Sequence, residues 1–302
     1  MLVPSDHLEH AEAAIQGHRL LPYDPAQPFG PEAAGADVLI PPFLSGAQLV
    51  QRAVELPKLR LVQLLTVGAD VWLGRLPDEV ALSSARGAHS AATAEWVLAT
   101  LLAIYRDLPD FVAAAGSGSW RPHPTDGLFG KRVLVVGAGD VGRRVAVRLT
   151  ACDASVTMVG RRGGDGVRPV RELRSLLPDH DAVVLIVPLT EQTRGMVGAD
   201  FLAAMPDGAV LVNAARGPVV HTDALLAELT AGRLRAALDV TDPEPLPADH
   251  PLWTAPNVLI TPHVAGSVLG LYQRAYQVAA EQIAAFAAGR QPENLIHDDQ
   301  GY

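Results

Sequence analysis

The sequence predicts an α/β chain with a doubly wound, parallel-sheet domain and a second, smaller α/β unit built from both ends of the chain. Three observations predict it. Between Gly130 and Pro262, short β-branched runs alternate with helical patterns, as in a parallel sheet covered on both faces. A glycine-rich turn joins the first of those runs to its helix. Two long helical stretches, Ser90 to Ala115 and Leu269 to Ala288, bracket the region, so the chain crosses into the larger domain and later returns. The expected boundaries are 1–92 with 269–302 for the smaller domain and 93–268 for the larger.

In the larger domain the strand runs are Val133 to Val136, Val156 to Val159, Val183 to Val187, Val210 to Val212, Ala236 to Val240 and Val258 to Ile260. Continuous apolar runs of this kind suit strands buried on both sides. Val141 to Thr150, Glu172 to Leu177 and Asp223 to Ala231 supply helices between them. In the smaller domain, apolar runs at Val38 to Ile40 and Leu61 to Leu65 flank a helical stretch from Ser45 to Leu56, and the opening strand near Leu2-Val3 reads as abbreviated. Gly116 to Ser119 ends the first long helical stretch and Gly289 the second.

Composition narrows the function. With 302 residues, 49% of them hydrophobic and 19% charged, the chain has the makeup of a globular protein with two real cores. Thirty-three acidic against 24 basic residues give a net charge of -9, which argues against a nucleic-acid backbone as partner. The single cysteine, Cys152, excludes an intramolecular disulfide and a cysteine-rich metal site, and fits a reducing compartment. No membrane-length apolar run and no export-type start are present, so a cytoplasmic location is expected. The other histidines show no metal-ligand spacing, and no metal site is expected.

Gly137-Ala138-Gly139-Asp140-Val141-Gly142 follows a strand and opens a helix. Its first glycine allows a tight turn, its second lets a pyrophosphate approach the backbone, and its third lets helix and strand pack closely. Asp140 is an awkward neighbour for an anion, so its side chain is expected to point away. Past the second strand, where an acidic residue would accept hydrogen bonds from a ribose 2′-hydroxyl, stand Arg161 and Arg162. Two guanidinium groups there suit a 2′-phosphate, which favours NADP(H). NAD is the alternative, if both arginines are solvated and Asp165 serves the ribose.

Three further blocks lie just after predicted strands, at the carboxyl edge where doubly wound sheets bind ligands. They are Asn213 to Gly217, Asp239 to Glu244, and Thr261-Pro262-His263. Arg216 can hold the carboxylate of a 2-oxo acid and polarise its carbonyl. His263 can move a proton to or from that oxygen, and Glu244 can orient the imidazole and keep it cationic.

With these blocks the chain resembles the D-isomer-specific 2-hydroxyacid dehydrogenase family. The matching pieces include Val67-Gly68-Ala69-Asp70, Ala94-Glu95, Trp120, Val187 to Thr190 with Thr193-Arg194-Gly195, Ala237 to Val240, and Pro251-Leu252-Trp253 through Thr261-Pro262-His263. The resemblance implies two Rossmann-like doubly wound domains with the substrate in the cleft, the discontinuous one being the substrate domain. It implies catalytic roles for Arg216, Glu244 and His263, and a substrate carboxylate received by the amides of Val67 and Gly68. It implies that Asp239 bonds the nicotinamide carboxamide, and that Pro188, Thr190, Thr193 and Ala214 lie along the cofactor. The implied substrate is a small-molecule 2-oxo or 2-hydroxy acid, the implied assembly a homodimer, and Trp120 and Arg121 lie in a segment that can reach a neighbouring subunit.

Some positions depart from the family pattern. Arg161 replaces an acidic residue and resembles the NADPH-preferring glyoxylate and hydroxypyruvate reductases. Asp153 stands where a glycine is usual before the second strand, and His221 where aspartate is common. Pro41-Pro42-Phe43-Leu44 follows an apolar strand and is expected to wall the pocket for a small or hydrophobic substrate side chain. The alternatives of the same fold are a cofactor-sensing, corepressor-like binding protein and a phosphite-type dehydrogenase.

Overall fold

The computed structural model describes residues 1–43 and 45–296, so Leu44 of the expected pocket wall and residues 297–302 lie outside the described residues. The chain divides into two compact units: Met1–His89 joined by the chain from Val268 onward, and Ser90–Ser267.

The first unit begins β1 (Leu2–Pro4), α1 (Leu8–Ala14), β2 (Leu21–Tyr23), β3 (Val38–Leu39), α2 (Ala47–Ala53), β4 (Leu61–Gln63), β5 (Ala81–Ser83). All pairings are parallel, in the order β2-β1-β3-β4-β5, a doubly wound arrangement whose direction of winding reverses between β1 and β3. The abbreviated opening strand is central: β1 is three buried residues paired on both sides. Neighbouring residues point to opposite faces, so Leu2, Leu39 and Val62 pack under α2 while Val3, Val38 and Leu61 pack toward α1.

The second unit runs α3 (Ser90–Tyr105), α4 (Leu108–Gly116), β6 (Arg132–Val136), α5 (Asp140–Ala151), β7 (Ser155–Gly160), β8 (Val167–Pro169), α6 (Leu173–Leu176), β9 (Ala182–Leu185), α7 (Ala199–Ala203), β10 (Val210–Asn213), α8 (Thr222–Thr230), β11 (Arg235–Leu238), β12 (Val258–Ile260). Its seven parallel strands lie in the order β12-β11-β10-β9-β6-β7-β8, reversing between β6 and β9. Alternation again splits the core: Leu134, Val183, Leu211 and Ala236 face one layer of helices, and Val133, Val184, Val210 and Ala237 the other. The chain then re-enters the first unit as α9 (Leu271–Ala287), whose Ala275, Ala279 and Ile283, spaced by four, join the face holding Val3 and Leu61.

Three expectations are corrected. The stretch Ser90 to Ala115 is two helices, not one. Asp107 adopts a left-handed conformation (φ 49°) and Pro109 enters the first turn of α4, where its missing N–H and ring can start a helix but not continue one. The strands expected over Val183 to Val187 and Ala236 to Val240 stop at Leu185 and Leu238, and the residues beyond turn into loops. Among the described residues no helix is long and apolar enough to cross a membrane, and no cluster of three histidine, cysteine or acidic side chains could hold a metal.

Candidate active site

The carboxyl edge of the seven-stranded sheet carries every candidate residue of the second unit. The glycine turn sits where β6 and β9 diverge. Gly137 has φ +123°, and a Cβ there would stand 2.1 Å from the backbone oxygen of Ile186, just past β9. A Cβ on Gly142 would fall 1.9 Å from the Gly137 oxygen. Real Cβ atoms do not approach so closely, so both positions require glycine. Gly139 is the opposite case: it is exposed, and a Cβ would meet nothing within 4 Å. The one open glycine lies at the start of α5, whose unpaired amides carry the positive end of the helix dipole. A backbone cradle closed on two sides and open on the third fits a dinucleotide pyrophosphate. The Asp140 carboxylate is turned along the helix, with both oxygens 3.2 Å from Arg144 Nε, and Val141 is half-buried in the same first turn.

Gly160, the last residue of β7, is packed so that a Cβ would lie 3.2 Å from that of Ala138. Arg161 and Arg162 therefore leave the sheet directly beside the glycine turn. Asp165 lies farther out. Gly164 and Val167 exchange backbone hydrogen bonds of 3.0 and 2.9 Å, and Asp165 (φ 52°) and Gly166 (φ 78°) form the tip between them. Two consecutive left-handed residues make a type I′ turn, a position that Asp-Gly favours on its own account.

After β9, the Thr193 hydroxyl donates to the Pro188 carbonyl at 2.6 Å and accepts the Thr190 amide at 2.8 Å. It stitches the loop shut, so its oxygen serves the protein first. After β10, the buried side chain of Asn213 accepts the Ala215 amide and donates to the Arg216 carbonyl, which sets the turn through half-buried Ala214. A Cβ on Gly217 would fall 1.8 Å from the Thr241 oxygen, so this loop lies directly on the one that carries Glu244.

After β11 and β12 the two remaining groups meet. His263 Nδ1–H donates to Glu244 Oε1 at 2.6 Å, and both side chains keep some exposure. His263 sits at φ 55°, a left-handed conformation that non-glycine residues hold only when their surroundings fix it. The fixing group is Asp239, which is 3% exposed. Its backbone oxygen accepts the His263 amide at 2.8 Å. Its carboxylate accepts the Thr261 hydroxyl at 2.6 Å and the amides of Val264 and Ala265, each at 2.9 Å. Four acceptor positions less three donors leave Oδ2 room for one more hydrogen bond. Thr261 and Asn213 stand in the blocks read from sequence, but no role was assigned to either. Their signal is a polar residue at the end of an otherwise apolar strand.

The hydrogen bond from His263 holds the Glu244 carboxyl below the usual carboxylate range, against the opposing effect of burial; the charges of His263 and Arg216 act in the same direction. Because the folded value is the lower one, the ionised Glu244 stabilises the fold above the ordinary carboxylate value, and that contribution is lost as pH falls from there through the lowered folded value. The Arg216 guanidinium also donates to its neighbour's carbonyl, Ala215 O, at 2.8 Å. In the first unit, Val67 and Gly68 follow β4; among the described residues neither amide donates a hydrogen bond, and the turn is held by the Thr66 hydroxyl donating to Gly68 O at 2.9 Å.

Residues 98–265 match the model of the D-isomer specific 2-hydroxyacid dehydrogenase NAD binding domain. A D-3-phosphoglycerate dehydrogenase of Methanocaldococcus jannaschii is 32% identical over 87% of this chain, a match that spans 52% of that protein's length. A glyoxylate reductase of Thermofilum pendens is 32% identical over 80% of the chain and 76% of its own. Among solved structures, a D-isomer specific 2-hydroxyacid dehydrogenase from Xanthobacter autotrophicus in complex with NADPH and MES superposes with a TM-score of 0.87 at 30% identity, covering 100% of this chain and 99% of that one. With more than half the chain matched by the family's model, and the glycine cradle and the loops after β10, β11 and β12 inside the matched span, this chain belongs to the D-isomer specific 2-hydroxyacid dehydrogenase family.

Proposed function

We propose that the chain is a nicotinamide-dependent reductase that converts a 2-oxo acid to the D-2-hydroxy acid and prefers NADP(H). One observation carries this reading: an imidazole bonded to a carboxylate at 2.6 Å, with a guanidinium acting on the pair, on the same sheet edge as a glycine cradle suited to a dinucleotide. When bound, the cofactor supplies the hydride that adds to the substrate's carbonyl carbon. Arg216 holds the substrate carboxylate and draws electron density onto the carbonyl oxygen. Protonated His263 gives that oxygen its proton through Nε2, since Nδ1 is engaged by Glu244, and the anionic carboxylate favours the cation until transfer. The amides of Val67 and Gly68 receive the carboxylate in the same reading, and Asp239 turns its remaining acceptor position to the nicotinamide carboxamide.

Arg161 after β7 supports NADP(H), because it leaves the sheet beside the glycine turn while Asp165, the next acid along the chain, is taken up in a turn. The test is a panel of glyoxylate, hydroxypyruvate, pyruvate and bulkier 2-oxo acids, each run with NADPH and NADH. Turnover favouring NADPH is expected, and Arg161→Asp should reduce that preference by about 10- to 100-fold, as loss of a charge-assisted phosphate contact implies. Tight cofactor binding without turnover of any acid would instead favour a sensing role.

A homodimer belongs to the same proposal. Leu108 and Val112 on α4, Trp120 beyond it and Phe129 before β6 are 48%, 72%, 93% and 74% exposed, large apolar side chains that a subunit contact would cover. Light scattering should return twice the 31.9 kDa chain mass, and Val112→Asp should shift the protein toward monomer. The single cysteine fits a cytoplasmic location.

A further inference from the structure

The loop after β12 turns three successive amides and one hydroxyl onto a single residue. The amide of His263 donates to the Asp239 backbone oxygen at 2.8 Å, and those of Val264 and Ala265 donate to its carboxylate, one to each oxygen, at 2.9 Å. Pro262 has no N–H to give. The donor on its other side is the Thr261 hydroxyl, 2.6 Å from Oδ1. Thr261 does not need that bond to keep its own place, since its amide extends the pairing of β12 with β11 by donating to the Leu238 oxygen at 2.9 Å. Asp239 is tied from the other side as well: its amide donates to the backbone oxygen of Asn213, whose side chain sets the Arg216 turn.

Two amides, one on each oxygen, would treat the carboxylate symmetrically and leave an open acceptor position on both. The hydroxyl breaks that symmetry. With two donors Oδ1 is filled, whereas Oδ2, with one, keeps the open position of a buried group that water has little access to satisfy. We propose that Thr261 is a positioning residue: its hydroxyl fixes the Asp239 carboxylate so that this single position is kept for the N–H of the nicotinamide carboxamide. The inference rests on the dinucleotide reading above and adds the side chain that holds its contact in place.

The experiment measures binding by calorimetry to the wild-type chain, to Thr261→Val, which keeps the shape of the side chain and removes the donor, and to Thr261→Ser, which keeps the donor. The ligands are NADPH and 2′-phospho-ADP-ribose, which lacks the nicotinamide ring; NADH and ADP-ribose replace them if NADH binds the wild-type chain more tightly. Thr261→Val should weaken the dinucleotide by about 10-fold or more, the scale of a hydrogen bond to a charged group, and leave the nicotinamide-free ligand within about 2-fold. Thr261→Ser should bring dinucleotide binding back to within about 3-fold of the wild type, because the donor is retained. Thr261→Ala replaces Thr261→Val should the latter fail to give a native circular dichroism spectrum. Unchanged dinucleotide affinity without the hydroxyl, equal losses for the two ligands, or failure of serine to restore binding overturns the positioning role. A wild-type chain that binds neither dinucleotide overturns the dinucleotide reading and the positioning role with it. Absence of turnover with every 2-oxo acid overturns the reductase reading alone, and the binding comparison still decides the role of Thr261.

Discussion

Replacing His263 with alanine is expected to lower kcat for 2-oxo acid reduction by about 10²- to 10⁴-fold, the usual contribution of a positioned general acid, with NADPH affinity changed little. The size of the effect follows from the geometry. The residue 263 backbone is held at φ 55° by four hydrogen bonds from its own loop to Asp239, and its imidazole bonds Glu244 at 2.6 Å. Cofactor affinity should survive because the glycine cradle follows β6, whereas the residue 263 loop follows β12 at the edge of the sheet, with β9, β10 and β11 between them. Glu244→Gln separates the proton from the framework. The amide keeps the side chain's shape but leaves Nδ1 without its charge-assisted acceptor, so kcat should fall by about 10-fold with NADPH affinity again little changed. Single-turnover kinetics with NADPH read both results. Full turnover in the alanine variant would remove His263 from the chemistry.

The second large effect is expected from Gly137→Ala. The new Cβ would stand 2.1 Å from Ile186 O and 2.6 Å from its carbonyl carbon, both backbone atoms, at a φ of +123°. The end of β9 cannot yield as a flexible side chain would, so the cost combines an unfavourable backbone with overpacking, about 2–5 kcal/mol in all. Because the displaced atoms form the floor of the cradle, NADPH binding should be lost together with stability. Gly208→Ala serves as the comparison: φ is +78° there, but a Cβ would meet nothing within 4 Å, so only the backbone cost of about 1 kcal/mol applies. Chemical denaturation and fluorescence titration with NADPH separate the two. Equal stability of the two variants would show that the close approach of β6 and β9 is not a constraint.

Much of the second unit was legible from sequence because five of its strands, β6, β7, β9, β10 and β11, run four to six residues and are mostly β-branched or apolar, and β12, though three residues long, is Val-Leu-Ile. β2, β5 and β8 were not, since Leu21–Tyr23, Ala81–Ser83 and Val167–Pro169 are short and each is broken by proline or a polar residue, so parallel neighbours rather than an apolar run make them strands. The break at Asp107 went unread because apolar and alanine residues run on both sides of it, and only Arg106-Asp107 and Pro109 mark it. His263, Glu244 and Arg216 were found by residue type at strand ends. The support beneath them was not: Asp239 was read for a ligand contact, whereas most of its bonding capacity is spent on the residue 263 loop. Support of that kind depends on where backbone amides point, which a string of residue types does not encode.

The return of α9 to the first unit has a consequence for biosynthesis. The second unit is uninterrupted in the chain and has all its strands once residue 260 has emerged from the ribosome, whereas Val3 and Leu61 lack Ala275, Ala279 and Ile283 until some 20 residues later. The amino-terminal half is therefore translated first and finished last, and it must keep an unfinished apolar face soluble through most of its own synthesis.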